Sequence, residues 1–383
     1  MNPSAEFELL VCCARVSLDD EQAARARALL RGGLDWQRLM ALAWRHGLMP
    51  LAFKHILTHF ADDAPEAVRE QMRADYAHNT ARCVWLSAEL QAALAALGRA
   101  GISAAAYKGP DLALRAYGDI RLRTFVDLDI MVRRGDVERA GAVLGSLGYR
   151  PHLPLSRAQE EMIFGSECDR VFLKEGRNIV LELHWAVVPP YYGIPLDVEE
   201  LLGASPSPDR PAGRPGGASD GTLLLLLCIN GAKDFWQRLE QVCAVGELLR
   251  AGRVEWGPLM RSASRIYAIR ALLIGLSAAN RLLGAPLPEE VARRIAADRA
   301  AARLADEVIR RLASGDGLEP GLREKTRFRL AAMDRARDRV RYCAARSLTP
   351  THRDYVAWLP PALSLVYYGL RPVRILREAL RPK

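Results

Sequence analysis

Two aspartates one residue apart, Asp127 and Asp129, sit inside the apolar run Phe125-Val126-Asp127-Leu128-Asp129-Ile130-Met131-Val132. Side chains alternate along a strand, so both carboxylates face one side. Val126, Leu128, Ile130 and Val132 then face the other side, toward a core. Paired carboxylates repel each other and resist burial. A cation between them removes the conflict, and Mg²⁺ takes hard oxygen ligands while keeping sites for water and phosphate. Two solvated carboxylates on an exposed face are the alternative.

A second acidic run, Ile179-Val180-Leu181-Glu182-Leu183-His184-Trp185, has the same alternation. Residues 179, 181, 183 and 185 form an apolar face, and Glu182 and His184 share the opposite one. Beside the first strand, Glu182 completes a carboxylate triad of the kind two-metal phosphoryl chemistry requires. His184 is open between general base, ligand, and a structural or substrate-contacting residue, with the last favoured. A third signal is Tyr107-Lys108-Gly109-Pro110-Asp111. Here a strand ends and a helix starts, with Pro110 at its first position. Helix-start N–H groups favour phosphate, Gly109 admits a ligand close to the backbone, and Lys108 adds charge. An ordinary strand-to-helix turn is the alternative. Arg121 and Arg123 precede the aspartates, near enough to grip phosphate oxygens on a bound metal. Solvated surface charge is the plainer reading of both.

These residues need elements to hold them. Residues 5–97 read as helices, with Asp35 the N-cap of a stripe through Leu39, Leu42 and Ala43. Ile102–Tyr107 reads as a strand, followed by a helix through Leu112, Ala113 and Leu114 to Tyr117-Gly118. Residues 125–132 form a second strand, 136–147 a helix closed by Gly148, then a short extended piece. Arg177-Asn178 turns into the third strand. Strand, helix, strand, helix, strand is an α/β unit. Residues 203–221 are nearly devoid of apolar side chains and read as a linker or loop. Helices follow at 222–250, about 256–284 and 288–313. The remainder, 320–383, reads as a long basic helix, a break at Thr349-Pro350-Thr351, an apolar stretch at 356–370 and a short basic helix.

The chain has 383 residues, half of them apolar, which suits a folded protein of two or three subdomains. Its seven cysteines form no CxxC and mostly sit in apolar stretches, the pattern of reduced, buried, structural thiols. No basic-then-apolar leader opens the chain, and no run reaches the roughly 18 apolar residues of a membrane span. A cytoplasmic protein is expected. The net charge of +9 is concentrated: residues 321–383 hold 15 Lys and Arg against 5 Asp and Glu. The rest of the chain is nearly neutral, which argues against a surface built for nucleic acid.

Lys108-Gly109, Tyr117-Gly118, Arg123, Asp127-Leu128-Asp129 and Glu182-Leu183-His184-Trp185, in that order, resemble the largely uncharacterised bacterial nucleotidyltransferase family of the DNA polymerase β-like superfamily. That family is often encoded near exopolysaccharide or peptide natural-product genes. Asp35-Trp36, His46-Gly47 and Pro50-Leu51 match its N-terminal helical part. Thr349-Pro350, Leu359-Pro360 and Leu370-Arg371-Pro372 match its C-terminal end. The resemblance implies an α+β fold: a small mixed-sheet nucleotidyltransferase core flanked by helical subdomains. The expected division is 1–100 N-terminal helical, 101–202 core, 203–221 linker or loop, and 222–383 C-terminal helical with a basic end.

The resemblance also implies roles. Asp127, Asp129 and Glu182 would be the metal-binding and catalytic carboxylates, and Lys108, Gly109 and Arg123 would bind the triphosphate. His184 and Lys233 are further candidate substrate contacts. The cofactor would be Mg²⁺, with Mn²⁺ as a substitute. The reaction would move a nucleoside monophosphate from an NTP, ATP included, to an unidentified small-molecule or peptide acceptor, with pyrophosphate released. Cys228-Ile229-Asn230-Gly231-Ala232-Lys233-Asp234-Phe235-Trp236 departs from the family, which often shows His-Gly there. Ala244 departs at a position often held by Asp. These positions belong to the acceptor side in that comparison.

Two other readings compete. One is a catalytically weak, nucleotide-binding scaffold or regulator, motivated by Asn230 and Ala244. The other is a metal-dependent glycosyltransferase, since such enzymes also carry Asp-x-Asp. At the basic end, Arg371, Arg374, Arg377 and Arg381 recur at helical spacing opposite Val373, Ile375, Leu376 and Leu380, with Trp358, Tyr367 and Tyr368 upstream. Docking on the protein itself is favoured there, ahead of peripheral contact with a membrane or partner protein, with nucleic acid last.

Overall fold

The structure is a computed structural model that describes residues 3–153, 157–202, 218–314, 320–349 and 366–380. Five helices come first: α1 (Ala5–Cys13), α2 (Asp20–Arg31), α3 (Trp36–Arg45), α4 (Met49–His59) and the 34-residue α5 (Glu66–Arg99). A mixed part follows, with β1 (Ala104–Ala106), α6 (Gly109–Leu112), β2 (Asp127–Val132), α7 (Val137–Ser146) and β3 (Tyr149–Pro151). It continues through α8 (Arg157–Ser166), β4 (Asp169–Lys174), β5 (Val180–His184) and α9 (Glu199–Leu202). The rest is helical: α10 (Asp220–Lys233), α11 (Leu239–Arg250), α12 (Trp256–Arg265), α13 (Ile269–Leu283) and α14 (Glu289–Ala297). Then come α15 (Arg299–Ser314), α16 (Leu322–Ala332), α17 (Ala336–Leu348) and α18 (Val366–Leu380). Asp35 caps α3, accepting the Arg38 N–H at 3.0 Å.

The five strands form one sheet in the order β1-β2-β5-β4-β3. β2 and β5 pair in parallel, and the other three pairs are antiparallel. The fold is therefore α+β with a mixed sheet. Alternation decides what each strand buries. Leu128, Ile130 and Val132 of β2, with Leu181 and Leu183 of β5, enter an apolar core under α5 and α7. Leu86, Leu90, Ala93 and Leu97 of α5 cover that core, spaced so that they share one helical face. Each fully buried Leu or Ile contributes about 1.5–3 kcal/mol by leaving water.

A second, larger core unites α1–α4 with α10–α17, so helices from the two ends of the chain pack together. α5 joins the two cores. Its first turns contribute Met72 to the helical core, and its second half covers the sheet.

Several expectations need correction. Val126 lies before β2 and is 60% exposed rather than in the core. Pro110 is the second residue of α6, and Gly109 the first. The short extended piece is β3, and a further strand, β4, separates it from β5 in sequence. The single helix expected over 222–250 is two, α10 and α11. Phe235 and Trp236 break it, with φ of 66° and 47°. Left-handed backbone costs a residue with a side chain about 1–2 kcal/mol. The Trp236 N–H reaches Gly231 O at 2.8 Å, and the indole is fully buried on Gly231 and Gly275. The Arg311 guanidinium lies 3.4 Å from the Phe235 ring centroid and donates to the Phe235 carbonyl. The helices expected at 256–284 and 288–313 are likewise each divided, at residues 266–268 and at Asp298.

At the end of the chain α18 departs from the expected faces at Arg371 and Val373, while Arg377 is exposed. Arg371 is 1% exposed and donates to Arg346 O of α17 at 3.2 Å, while Val373 is 63% exposed. Residues 203–217 of the linker, Pro350-Thr351, residues 356–365 with Trp358, and Arg381 lie outside the described residues, as do the side chains of Tyr367, Ile375, Leu376 and Leu380. Among the described residues no helix is long and apolar enough to cross a membrane. The seven cysteines are free, and all but Cys343 are buried.

Candidate active site

β2 and β5 run side by side with Asp129 paired to Glu182 and Asp127 to Val180. Parallel pairing follows from the long connection through α7, β3, α8 and β4. It sets the two acidic faces on the same side of the sheet. His184 binds both carboxylates: its Nε2 is 3.1 Å from Asp129 Oδ1 and 3.2 Å from Glu182 Oε2. The Tyr107 ring meets the imidazole edge-on at 5.3 Å between centroids. Lys108, at the end of β1, puts its Nζ 3.4 Å from Asp129 Oδ1 and 5.1 Å from the Tyr107 ring centroid.

Crowding splits the acid strengths of the two aspartates. Burial, then the charges of Asp129 and Glu182, push the Asp127 carboxyl up to about 6. Burial also opposes ionisation of Asp129. The Lys108 charge and the His184 hydrogen bond outweigh it and hold Asp129 below the usual carboxylate range. The His184 hydrogen bond lowers Glu182 against its burial. Burial works against a charged His184, yet its interactions with Tyr107, Asp129, Cys168 and Glu182 raise it well above an ordinary histidine. The Asp129 charge likewise raises Lys108 against burial.

This donor set fits a divalent ion. Ligand atoms of Asp129, Glu182 and His184 lie within 4.8 Å of one another. Asp127 stands at the head of the same strand, its carboxyl raised first by burial and then by the charges of Asp129 and Glu182. Hard carboxylate oxygens suit Mg²⁺ or Mn²⁺, and His184, protonated between Asp129 and Glu182, orients these carboxylates instead of ligating. Cys168, Asp169 and His184 make a second group of this size. Burial pushes the Cys168 thiol up, so it remains protonated and a poor ligand.

A cleft of about 340 Å³ opens over β2. Lys108, Arg123, Asp127 and Asp129 line one wall, and α10 and α11 supply the other through Asn230, Asp234, Glu240 and Ala244. Glu182, His184, Gly109 and Lys233 stand outside this lining. Gly109 is buried with φ of +53°, and a Cβ there would lie 3.7 Å from Asp127 O. Lys233 Nζ is 3.9 Å from Asp234 Oδ1. Arg121 is engaged elsewhere, paired with Asp119 at 2.7 Å on the surface.

Arg123 reaches across the cleft, its Nη2 3.9 Å from Glu240 Oε2. Glu240 is held in turn by the N-terminal helices. Its backbone N–H donates to His46 O at 3.0 Å, and the Leu239 N–H donates to His46 Nδ1 at 3.4 Å. Burial lowers His46 to about 4, which keeps that nitrogen an acceptor at neutral pH. The His46-Gly47 pair therefore serves the site by seating α11.

The sequence pattern marks the sheet side of the cleft and, on the opposite side, Asn230 and Ala244, but not Gln237, Arg238, Glu240 and Gln241. The signal was a conflict at Asp234-Phe235-Trp236: a buried Trp after Gly231, which only a turn can bring back over that glycine.

Neither the curated proteins nor the solved structures contain a match to this chain. A family profile does match, described as uncharacterised nucleotidyltransferase, over residues 32–284. That span is more than half of the sequence, and it takes in α3, the whole sheet, both walls of the cleft and α13. The order of elements, the acidic strands and the cleft between sheet and helices thus accompany a profile match over most of the fold, and the chain belongs to the uncharacterised nucleotidyltransferase family.

Proposed function

We propose that the protein is a metal-dependent nucleotidyltransferase that moves a nucleoside monophosphate from an NTP to an acceptor hydroxyl or similar nucleophile. The observation that carries the reading is the pairing of Asp129 with Glu182 across parallel strands, beneath a cleft that also presents Asp127, Lys108 and Arg123. Asp127, Asp129 and Glu182 would hold Mg²⁺ or Mn²⁺, with His184 bridging two of them. A divalent ion there supplies charge neutralisation for the triphosphate and activation of the attacking oxygen.

The chain's own residues do the rest. Lys108 and Arg123 bind phosphate oxygens, and the Gly109 turn brings backbone close to them. The acceptor oxygen bonds to the α-phosphorus and the bond to the β-phosphate oxygen breaks. Pyrophosphate carries off the electron pair, and the acceptor proton passes to a carboxylate of the cleft. Positioning and charge complementarity provide most of the acceleration. The acceptor is a small molecule or peptide of a biosynthetic pathway.

The test is pyrophosphate release from each NTP with Mg²⁺ and a panel of acceptors. The Asp127→Asn/Asp129→Asn double variant should lose at least about 10²–10³-fold in turnover while staying folded. Unchanged turnover would sink the reading.

A further inference from the structure

Asn230 is 4% exposed on α10 and lines the cleft, and neither its Oδ1 nor its Nδ2 has a hydrogen-bond partner. A buried carboxamide left unpaired on both sides costs about 1–3 kcal/mol per group. The backbone fixes it in place. Its carbonyl accepts the Asp234 N–H at 2.8 Å, and the next residue, Gly231, accepts the Trp236 N–H at 2.8 Å. Trp236 leaves no space for a side chain on Gly231, where a Cβ would come within 2.5 Å of the indole. The Phe235-Trp236 turn thus fixes the backbone at Asn230, whose unpaired carboxamide lies buried in the wall of the cleft and meets a ligand by turning about its side-chain torsions.

The surroundings define what such a pair would meet. Leu227, one turn earlier on α10, Leu112 of α6 and Ala244 of α11 line the same cleft and offer apolar surface. The charged groups for phosphate, Lys108 and Arg123, belong to the sheet wall. The carboxamide sets an acceptor oxygen beside its donor nitrogen, and that oxygen repels a phosphate or carboxylate, so Asn230 matches an uncharged group with a donor and an acceptor side by side. Every nucleobase carries that pattern on its edge, and its flat faces suit aliphatic cover. A carboxamide meets adenine N6–H and N7 with two hydrogen bonds at once.

We propose that Asn230 reads the nucleobase of the bound NTP, with Leu112, Leu227 and Ala244 covering its faces and adenine the expected base. The proposal rests on the nucleotidyltransferase reading. It assigns Asn230 and Ala244 to the nucleotide rather than to the acceptor.

The experiment is calorimetric titration of the full chain with ATP, GTP, CTP, UTP and tripolyphosphate, each with Mg²⁺. The native protein, Asn230→Leu and Asn230→Asp are compared. Asn230→Leu keeps the size and removes both hydrogen-bonding groups, while Asn230→Asp keeps the shape and removes the donor. The native protein is expected to bind ATP at least tenfold more tightly than the others. Asn230→Leu should erase that preference and leave tripolyphosphate binding unchanged, which also shows that the variant is folded. Asn230→Asp should weaken ATP most. Ala244→Leu, which narrows the cover, should weaken ATP and GTP more than CTP and UTP. Equal native binding of the four NTPs, or an Asn230→Leu variant that keeps the native order, overturns the proposal. If the native protein binds neither NTP nor tripolyphosphate, the nucleotidyltransferase reading itself falls.

Discussion

Glu240 fills the space above Gly47 that any side chain there would need. A Cβ on Gly47 would lie 2.7 Å from Glu240 Cδ, and Gly47 has a φ of +69°. Gly47→Ala therefore meets two penalties, left-handed backbone and a displaced carboxylate. The expected result is a loss of about 1–2 kcal/mol of stability from the backbone alone. Nucleotide affinity should fall too, because Glu240 faces Arg123. Thermal unfolding and NTP titration check both; a variant with native affinity would uncouple Gly47 from the site.

Glu240 holds Arg123 rather than binding anionic substrate itself. Glu240→Gln should raise KM for the NTP on the order of tenfold and leave kcat within a few-fold, the signature of lost ground-state binding. Arg123→Ala should do more, since it removes the proposed phosphate contact itself. Steady-state kinetics with a fixed acceptor separate the two. A fall in kcat at constant KM for Glu240→Gln would place that carboxylate in the chemical step instead.

Asp127 would give the proposed metal site a pH dependence. Its carboxyl, pushed up to about 6, is protonated below that pH and unavailable as a ligand. Mn²⁺ affinity, followed by electron paramagnetic resonance, should be constant above pH 7 and drop as pH falls through 6. The Asp127→Asn variant should bind weakly at every pH with a flatter profile. Equal Mn²⁺ affinity of the native protein at pH 5 and pH 8 would contradict this.

His46 makes a separate contribution to acid sensitivity. The folded chain keeps His46 neutral down to about pH 4, while an unfolded histidine takes up its proton near 6.5. Protons therefore favour the unfolded chain in that interval. The contribution is complete above pH 6.5 and is lost as pH falls toward 4, by an amount on the order of 3 kcal/mol. His46→Gln should flatten the stability profile between pH 7 and pH 4.5 in guanidinium unfolding. A profile identical to that of the native protein would remove His46 as its cause.

Gly231→Ala tests the turn between α10 and α11. The added methyl lies 2.5 Å from the Trp236 indole, so the indole must move or the helix must shift. Overpacking of this kind costs about 1–3 kcal/mol. Tryptophan fluorescence and the melting temperature should both change, and NTP affinity should fall with them because Asn230 and Asp234 flank the turn.

The sheet side of the site was legible because alternation carries its own evidence. Asp127 and Asp129 interrupt an apolar strand, Glu182 and His184 interrupt another, and the pattern fixes which faces are shared. β4 was not legible: Asp169, Arg170 and Lys174 mask its one fully buried side chain, Phe172. On the opposite wall Asn230 and Ala244 stood out, and the rest was hidden because the break at Asp234–Arg238 contains no Gly and no Pro. Local propensity there favours a continuous helix. What stops it is distant: the Gly275 notch, the Arg311 guanidinium and the burial of Trp236. α18 carries the same lesson, because packing against α17 outweighs the periodicity of its own residues and draws Arg371 inward.

α5 runs about 50 Å as one unbroken helix, and it is clamped at one end by the helical core and at the other by the sheet. The two walls of the cleft belong to those same two bodies. A jaw that opened by swinging them apart would have to snap its own splint. Swinging the walls apart would therefore bend or tilt α5, whereas the long side chains lining the cleft, Arg123, Lys108 and Arg238, can adjust without moving either core.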